Sequence, residues 1–325
     1  MVQKLDSKDL KLVYWMNKDA KLTSKRLAYL LNTSREVVEY RFKRLKEQNI
    51  IKKQIALVNT SILGYDSFLL LLELQNYSPA KEVEISEKIK NHSNTKWLIK
   101  CTGHWDLQVA ITARDRKELK KVVDEITLIC SETLRSYDFT YNIEFLKKEK
   151  LGFLIDKEYK SEYKKSKKLK LKAKDELLLK LLAYDSKTTF LELANKTGLN
   201  VETVKSRIKH LTDAKVIVGH QMIVDLSRIG YLNHYIFMRI NDLSETLEAS
   251  IKTFFETLPA VVFVERLLGA WDLRIQVVAE DINIFEQTLQ QIREFLSEHL
   301  TSYESCIMLE ELKRNSMPEG VVLEV

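Results

Sequence analysis

Charged and aromatic side chains occupy one face of a predicted helix near the start of the chain. Ser34 is suited to cap this helix. Apolar residues recur about once per turn and must face inward: Val38, Phe42 and Leu45. The opposite face carries Arg35, Glu39, Tyr40, Lys43 and Arg44. Cationic groups there can contact phosphates, while Arg35 or Tyr40 reaches base edges. The pattern predicts a DNA-reading helix, and a protein-interaction helix with solvated charges is the alternative.

A second helix of this kind is predicted from about residue 201. Its inward residues are Val204, Ile208 and Leu211. Its predicted DNA-contacting residues are Thr203, Lys205, Ser206 and Lys209. Because these side chains differ from those of the first helix, we expect the two helices to read different half-sites. The alternative is that the second helix only holds phosphates.

The two helices belong to an internal repeat. Residues 101–109 reappear in edited form at 267–275, an offset of 166 residues, and the same offset aligns the chain from about residue 5 to residue 146 without a gap. The chain therefore contains two tandem copies of one two-part module, and we expect the two halves to share the same fold.

Each module begins with three short helical patterns and continues with alternating strands and helices. In the first module a tight turn at residues 32–33 separates the second and third helices, which is typical of a helix-turn-helix unit. The following order, βαββαβ, predicts a ferredoxin-like antiparallel sheet with two helices on one face. We expect Phe68, Leu70 and Leu72 to lie on the uncovered face, where another sheet must meet them.

The sequence predicts an α+β protein with six segments. They are a helix-turn-helix head at 1–53, a ferredoxin-like domain at 54–146, a lysine-rich linker at 147–170, a second head at 171–219, a second ferredoxin-like domain at 220–312 and a tail at 313–325.

A Gly-x-Trp-Asp turn occurs once in each module. The residues are Gly103, Trp105 and Asp106 in the first and Gly269, Trp271 and Asp272 in the second. Glycine permits a backbone conformation that other residues resist, which leaves each carboxylate at the mouth of a strand. A carboxylate in that place can bind the ammonium group of an amino-acid-like effector. The alternative is that each aspartate caps its turn through backbone N–H groups.

Charge is concentrated at the N-terminal end. The chain carries a net charge of +6, but residues 1–53 hold fourteen Lys or Arg against six Asp or Glu, and residues 172–219 hold nine against six. A basic head favours a polyanionic partner.

Other functional classes find little support in the composition. Cys101, Cys130 and Cys306 lie in apolar segments, which predicts buried free thiols. The six histidines are scattered and no phosphate-binding or nucleophile motif is present, so we expect no metal, no cofactor and no enzymatic activity. Without a long apolar run or a leader pattern, the expected location is the cytoplasm, with no membrane partner.

The combination of head, hinge strand and ferredoxin-like domain resembles the Lrp/AsnC (feast/famine) family of transcription factors. The matching positions are Leu27, Ala28, Arg41, Gly64 and Gly103-x-Trp105-Asp106, and again Leu193, Ala194, Arg207, Gly230 and Gly269-x-Trp271-Asp272. Family members usually carry one module and dimerise, so this chain resembles a dimer made covalent. The family's usual glycine after the DNA-reading helix is replaced by Asn49 and Lys215.

The resemblance implies a sequence-specific regulator with double-stranded DNA as partner. It also implies an amino-acid-like effector near the Gly-x-Trp-Asp turns and self-association through the ferredoxin-like (RAM-type) domains. Two alternatives stay open. One is an enzyme like the siroheme decarboxylases, which fuse two such modules and bind a tetrapyrrole between the sheets; the other is an architectural protein that coats DNA with little sequence preference.

Overall fold

The computed structural model describes residues 3–148, 151–155 and 171–323. The first module runs through α1 (Ser7–Lys18), α2 (Ser24–Leu31), α3 (Arg35–Glu47), β1 (Ile51–Val58), β2 (Asp66–Leu74), α4 (Pro79–Asn91), β3 (Thr95–Gly103), β4 (Leu107–Ala113), α5 (Arg116–Ile129) and β5 (Leu134–Lys148).

The second module has the same order of elements. It runs through α6 (Ala173–Tyr184), α7 (Phe190–Thr197), α8 (Val201–Asp213), β6 (Ile217–Val224), β7 (Leu232–Ile240), α9 (Glu245–Glu256), β8 (Val261–Gly269), β9 (Leu273–Ala279), α10 (Ile282–Phe295) and β10 (Leu300–Arg314). The predicted α+β class is confirmed, with a helix-turn-helix head and a βαββαβ domain in each half.

The head helices begin where the sequence supplies capping side chains. Thr23 and Ser34 accept hydrogen bonds from the third backbone N–H of α2 and α3, and Thr189 forms a reciprocal capping box with Glu192 at α7. After α3 and α8, Asn49 and Lys215 adopt left-handed φ values of 56° and 61°. The loop conformation that the family's glycine favours is therefore kept, at some strain for Lys215.

The two four-stranded sheets join into one closed barrel. Strand order around it is β10, β3, β4, β2, β5, β8, β9, β7, and the strands meet across the modules at β5–β8 and β10–β3. Closure leaves the eight strands of this barrel without an unpaired edge among the described residues. The interior is filled by apolar and aromatic side chains: Leu69, Leu71, Ile99, Cys101, Trp105, Tyr235, Phe237, Leu267, Trp271 and Cys306.

The predicted orientation of β2 is wrong. Leu69 and Leu71 face the other sheet, whereas Leu70 and Leu72 pack with helices α4 and α5 and Phe68 lies against that same cluster. Every residue from 68 to 72 is apolar, so alternation along the strand could not distinguish the two faces.

Each head packs on the other module's hinge strand. The hinge strands β1 and β6 pair antiparallel, Asn17 of the first head donates to the Met222 carbonyl of β6 at 2.8 Å, and the Ser186 backbone N–H of the second head donates to the Gln54 carbonyl of β1 at 2.9 Å. The two heads are therefore tied to each other through a ribbon made by both modules.

The segments that follow β5 and β10 pack against the heads. Residues 151–155 pack beside the first head, where Leu154 is buried, and the tail packs against the second head through buried Met317 and Val321. Residues 149–150 and 156–170 of the predicted linker lie outside the described residues. Among the described residues, no helix has both the length and the apolar character needed to cross a lipid bilayer.

Candidate nucleic-acid interface and effector turns

Helix α3 presents a polar outer face. Val38 and Leu45 are buried against α1 and α2, whereas the exposed fractions are 67% for the Arg35 side chain, 66% for Tyr40 and 79% for the Lys43 side chain. The structure thus brings three of the predicted DNA-contacting residues to one accessible surface. Long cationic side chains and a phenol on a helix face can contact phosphates and base edges.

Two of these cations have carboxylate neighbours on the same helix. The Arg35 Nε donates to Glu39 at 2.8 Å, and the Lys43 Nζ lies 3.8 Å from Glu47. Exposed pairs of this kind contribute at most about 1 kcal/mol. Phosphates can therefore replace the carboxylates at small cost. Glu39 is the partner of Arg35 in the DNA-free protein.

Arg44 lies beside the exposed face and is paired with a buried carboxylate. Its guanidinium donates to Asp9, which is buried in α1, and Arg41 donates to Asp9 at 2.7 Å and to Asp6. Burial alone would raise the pKa of Asp6, but the Arg41 guanidinium and the backbone N–H groups of Asp9 and Lys8 together hold that pKa below its usual value. These arginines fasten α3 to α1, so we leave Arg44 out of the proposed interface.

Helix α8 of the second head has the same inward pattern and a less cationic outer face. Asn200 caps the helix, and Val204, Ile208 and Leu211 are buried. Of the predicted contacts, Lys205, Ser206 and Lys209 are exposed and Thr203 is half-buried. Lys205 is paired with Glu202 at 2.8 Å. Arg207 donates to Asp175 at 2.7 Å, which repeats the fastening of α3 to α1.

The first Gly-x-Trp-Asp turn is tightly packed. Gly103 has a φ of 129°, and a Cβ at this position would lie 2.6 Å from the Ser305 carbonyl oxygen of β10. Trp105 is buried inside the barrel. Asp106 accepts the Leu74 backbone N–H at 2.6 Å and the Tyr77 hydroxyl at 2.9 Å. Burial, and then the bond to Asp106, raise the pKa of Tyr77 to about 12.

The second turn keeps this backbone geometry and has two new side-chain partners, Asp138 and Arg266. Gly269 also has a φ of 129°, and Trp271 donates from Nε1 to Asp138 at 2.8 Å. Asp272 accepts the Ile240 backbone N–H at 2.9 Å, while its second oxygen lies 3.4 Å from Arg266. Both aspartates therefore accept a backbone N–H group from the end of another strand, β2 or β7, rather than from their own turn. An ammonium ligand must compete with Tyr77 at Asp106 and with Arg266 at Asp272.

The barrel interior holds polar groups that the sequence reasoning missed. Arg274 donates to Glu265 at 2.8 Å, and its guanidinium lies over the rings of Trp97 and Tyr235 at 4.8 Å each. In the first module the corresponding polar group, Gln108, donates to the sulfur of Cys306 at 3.1 Å. The sequence feature that could have predicted them is the polar pair Gln108 and Arg274, which stand at the same position of the repeat in two otherwise apolar strands. All three cysteines are buried free thiols, as predicted.

The comparisons with known proteins agree with this architecture. The model of winged helix-turn-helix DNA-binding domains matches residues 171–218, and the model of the Lrp/AsnC ligand-binding domain matches residues 235–318. The chain is 30% identical over 125 residues to an uncharacterized HTH-type transcriptional regulator of Pyrococcus abyssi, covering 38% of this chain and 83% of that protein. It is 28% identical over 122 residues to HTH-type transcriptional regulator FL11 of Pyrococcus furiosus, covering 38% and 80%.

A similarity in fold extends over almost the whole chain. The crystal structure of the siroheme decarboxylase NirDL superimposes with a TM-score of 0.61 over 95% of this chain and 93% of that chain, at 13% sequence identity. At this identity the likeness concerns the fold. The sequence matches establish that this chain belongs to the Lrp/AsnC family.

Proposed function

We propose that this protein is a DNA-binding transcriptional regulator whose two heads read different half-sites. The observation that carries the proposal is the exposed face of α3, where the side chains of Arg35, Tyr40 and Lys43 are accessible to solvent. The ion pairs of Arg41 and Arg44 with Asp9 fix α3 against α1, so the exposed face has a defined orientation before DNA binds. The curated relatives, which are named HTH-type transcriptional regulators, support the same function.

The heads differ where they would meet DNA. At positions 166 residues apart, Arg35 corresponds to Val201, Tyr40 to Ser206, and Lys43 to Lys209. The first head thus supplies more phosphate contacts, and the second supplies smaller side chains. A symmetric homodimer reads two equal half-sites, whereas this chain should prefer an asymmetric operator with half-sites about one helical turn apart.

Selection from randomised duplex DNA at two salt concentrations tests this proposal. We expect an enriched asymmetric motif. Arg35→Ala and Lys43→Ala should weaken binding and lower the slope of log affinity against log salt by about one unit per lost phosphate contact. Lys252→Ala, an exposed lysine on α9, is the matched control. Unchanged affinity of both α3 variants would remove that helix from the interface, and a specificity ratio near one would favour a DNA-coating role.

The structural similarity to a siroheme decarboxylase supplies the competing function. A tetrapyrrole bound between the sheets needs an open interior, but this barrel is filled by buried Tyr235, Phe237 and Leu71. We therefore favour the regulator. Titration with siroheme, followed by its absorbance spectrum, separates the two, because tight stoichiometric binding would support the enzyme instead.

The proposal includes control by an amino-acid-like effector at the Gly-x-Trp-Asp turns. The turn in the second module suits a zwitterion better, because Asp272 can accept an ammonium group while Arg266 beside it can bind a carboxylate. A panel of amino acids in a DNA-binding assay tests this, with Asp272→Asn as the variant that should lose the response. A response that persists in this variant would place the effector elsewhere.

A further inference from the structure

One lysine of the second head lies on helix α3 of the first head. Lys187 belongs to the turn between α6 and α7, and its ammonium nitrogen stands 4.2 Å from the centre of the Phe42 ring. At this distance a cation and an aromatic ring attract each other. Phe42 is half-buried against the apolar cluster of the first head, so its ring has a fixed position. The two heads therefore touch at the helix proposed to contact DNA.

The turn that carries Lys187 is held in place by its backbone. The Ser186 backbone N–H donates to the Gln54 carbonyl of β1 at 2.9 Å, which ties the turn to the hinge strand of the first module. Within the turn, the Asp185 carboxylate accepts the Lys187 backbone N–H at 2.8 Å, and the Thr188 hydroxyl donates to the Asp185 carbonyl at 2.8 Å. These bonds place Lys187 beside α3 before any ligand is present.

Phe42 belongs to a row of side chains that includes predicted DNA contacts. Arg35 and Glu39 precede Phe42 by seven and three residues, and Lys46 follows it by four, so these residues share one side of α3. Arg35, Glu39 and Lys46 are exposed. Lys187 thus adds a cation from the other head to the edge of the surface that holds Arg35.

Lys187 and Lys46 form a pair of like charges. Partial burial, and then the charge of Lys46, hold the pKa of Lys187 below its usual value, although Asp185 opposes this shift. Within the part of the chain that the structure describes, neither ammonium group has a carboxylate oxygen within 4.0 Å. Two cations that repel each other without a bridging carboxylate are stabilised by an anion that contacts both, and a DNA phosphate is such an anion.

Helix α8 lacks this arrangement. At positions 166 residues apart, Lys187 corresponds to Lys21, but Phe42 and Lys46 correspond to Ile208 and Thr212 of α8. The second head therefore offers neither the aromatic ring nor the second cation to a lysine of the first head.

We propose that Lys187 and Lys46 together bind one backbone phosphate beside the DNA that α3 contacts, so that the second head completes the DNA surface of the first. This role rests on the proposed function, because its ligand is the DNA of that function. A phosphate contact fixes the position of a protein on the duplex without reading sequence. The dependence runs in one direction, since α3 receives a cation from the other head and α8 lacks the residues for an equivalent site.

Lys187→Met tests this role, because methionine keeps an unbranched side chain that can lie on Phe42 but removes the charge. Binding of the full chain to a mixed-sequence duplex is measured between about 50 and 200 mM salt. We expect about tenfold weaker binding and a slope of log affinity against log salt that is lower by about one unit. Lys187→Arg should bind like the unaltered chain. Lys21→Met, in the same turn of the first head, is the matched control and should leave the slope unchanged.

The variants of Lys46 show whether the two lysines share one phosphate. Lys46→Met should also weaken binding, and the double variant should lose less log affinity than the sum of the two single losses. Additive losses would place the lysines on separate phosphates and overturn the proposal. An unchanged salt slope in Lys187→Met would overturn it as well, because weaker binding alone would then reflect packing between the heads.

Arg35→Ala and Lys43→Ala, measured on the same duplex, separate this proposal from the proposed function. If both weaken binding and Lys187→Met does not, only the shared phosphate site is refuted. If neither α3 variant changes binding, α3 is not the DNA-contacting helix, and both proposals are refuted together.

Discussion

The buried Arg274–Glu265 pair can be dissected with the protein's own repeat as the reference. Both side chains are less than a tenth exposed, and their nitrogen and oxygen lie 2.8 Å apart. The first module has Ile99 and Gln108 at the equivalent positions, inside the same barrel. We predict that Glu265→Ile alone is strongly destabilising, because it leaves the Arg274 cation buried without its carboxylate. Changing both residues to the pair of the first module should be much milder.

The magnitudes follow from the cost of burying charge. Removing one partner of a buried ion pair typically costs about 3–5 kcal/mol, whereas replacing both by residues of similar volume is often close to neutral. Both Glu265→Ile and the double variant also leave the Asn142 amide without its Glu265 acceptor, which adds about 1–3 kcal/mol to each unless water reaches it. We therefore expect Glu265→Ile to lower the unfolding free energy by about 4–8 kcal/mol and the double variant by about 1–3 kcal/mol.

Urea unfolding of the unaltered chain, both single variants and the double variant gives the coupling energy between the two residues. The stability of the Arg274→Gln variant should depend on pH, because burial raises the pKa of Glu265 and Arg274 opposes that rise. Without Arg274, Glu265 should bind a proton more readily, so this variant should regain stability as the pH is lowered. Equal destabilisation of Glu265→Ile and the double variant would refute the reasoning, since it would mean that shape rather than charge decides stability at this site.

Three further predictions concern the turns and the buried histidines. Gly103→Ala should destabilise the barrel strongly, because the new Cβ meets the Ser305 carbonyl oxygen and the φ of 129° is unfavourable for alanine. Gly219→Ala, at a position with open space around it, is the control. Equal thermal midpoints of the two variants would contradict this prediction. Asp106→Ala should lower the unfolding free energy by about 2–3 kcal/mol, because the Leu74 N–H and the Tyr77 hydroxyl lose their acceptor, and a fully stable variant in urea unfolding would show that water replaces the carboxylate. Burial lowers the pKa of His234 to about 4, and burial together with Lys21 lowers the pKa of His220 to about 4, so the unfolding free energy should fall as the pH drops from about 6.5 toward about 4. His234→Phe and His220→Gln, which copy Phe68 and Gln54 of the first module, should flatten that dependence. An unchanged pH profile would assign the dependence to other groups.

The local features of this fold could be read from the sequence. Thr23, Ser34 and Thr189 cap helices because their hydroxyl groups meet free N–H groups within three residues. The repeat offset placed both Gly-x-Trp-Asp turns, and periodic apolar residues gave the inward faces of α3 and α8. All of these depend on interactions between residues close in the chain.

The features that escaped prediction depend on contacts between distant segments. Barrel closure pairs β10 with β3, about two hundred residues apart, and no local pattern specifies such pairing. The pairing of Arg44 with Asp9 likewise joins two different helices, so the sequence pattern of α3 alone does not predict it. The effector prediction for Asp106 likewise took no account of Tyr77, which reaches the carboxylate from the segment after β2.

The exchange of hinge strands between the modules has a consequence for how the two halves stay together. The second head shares one apolar cluster with Ala56, Val58 and Tyr65 of the first module, and the first head shares another with Met222 of the second. Neither module can thus bury its own head by itself. A protease cut between Ile155 and Leu171 should therefore leave two fragments that stay associated, because each supplies part of the apolar cluster under the other's head.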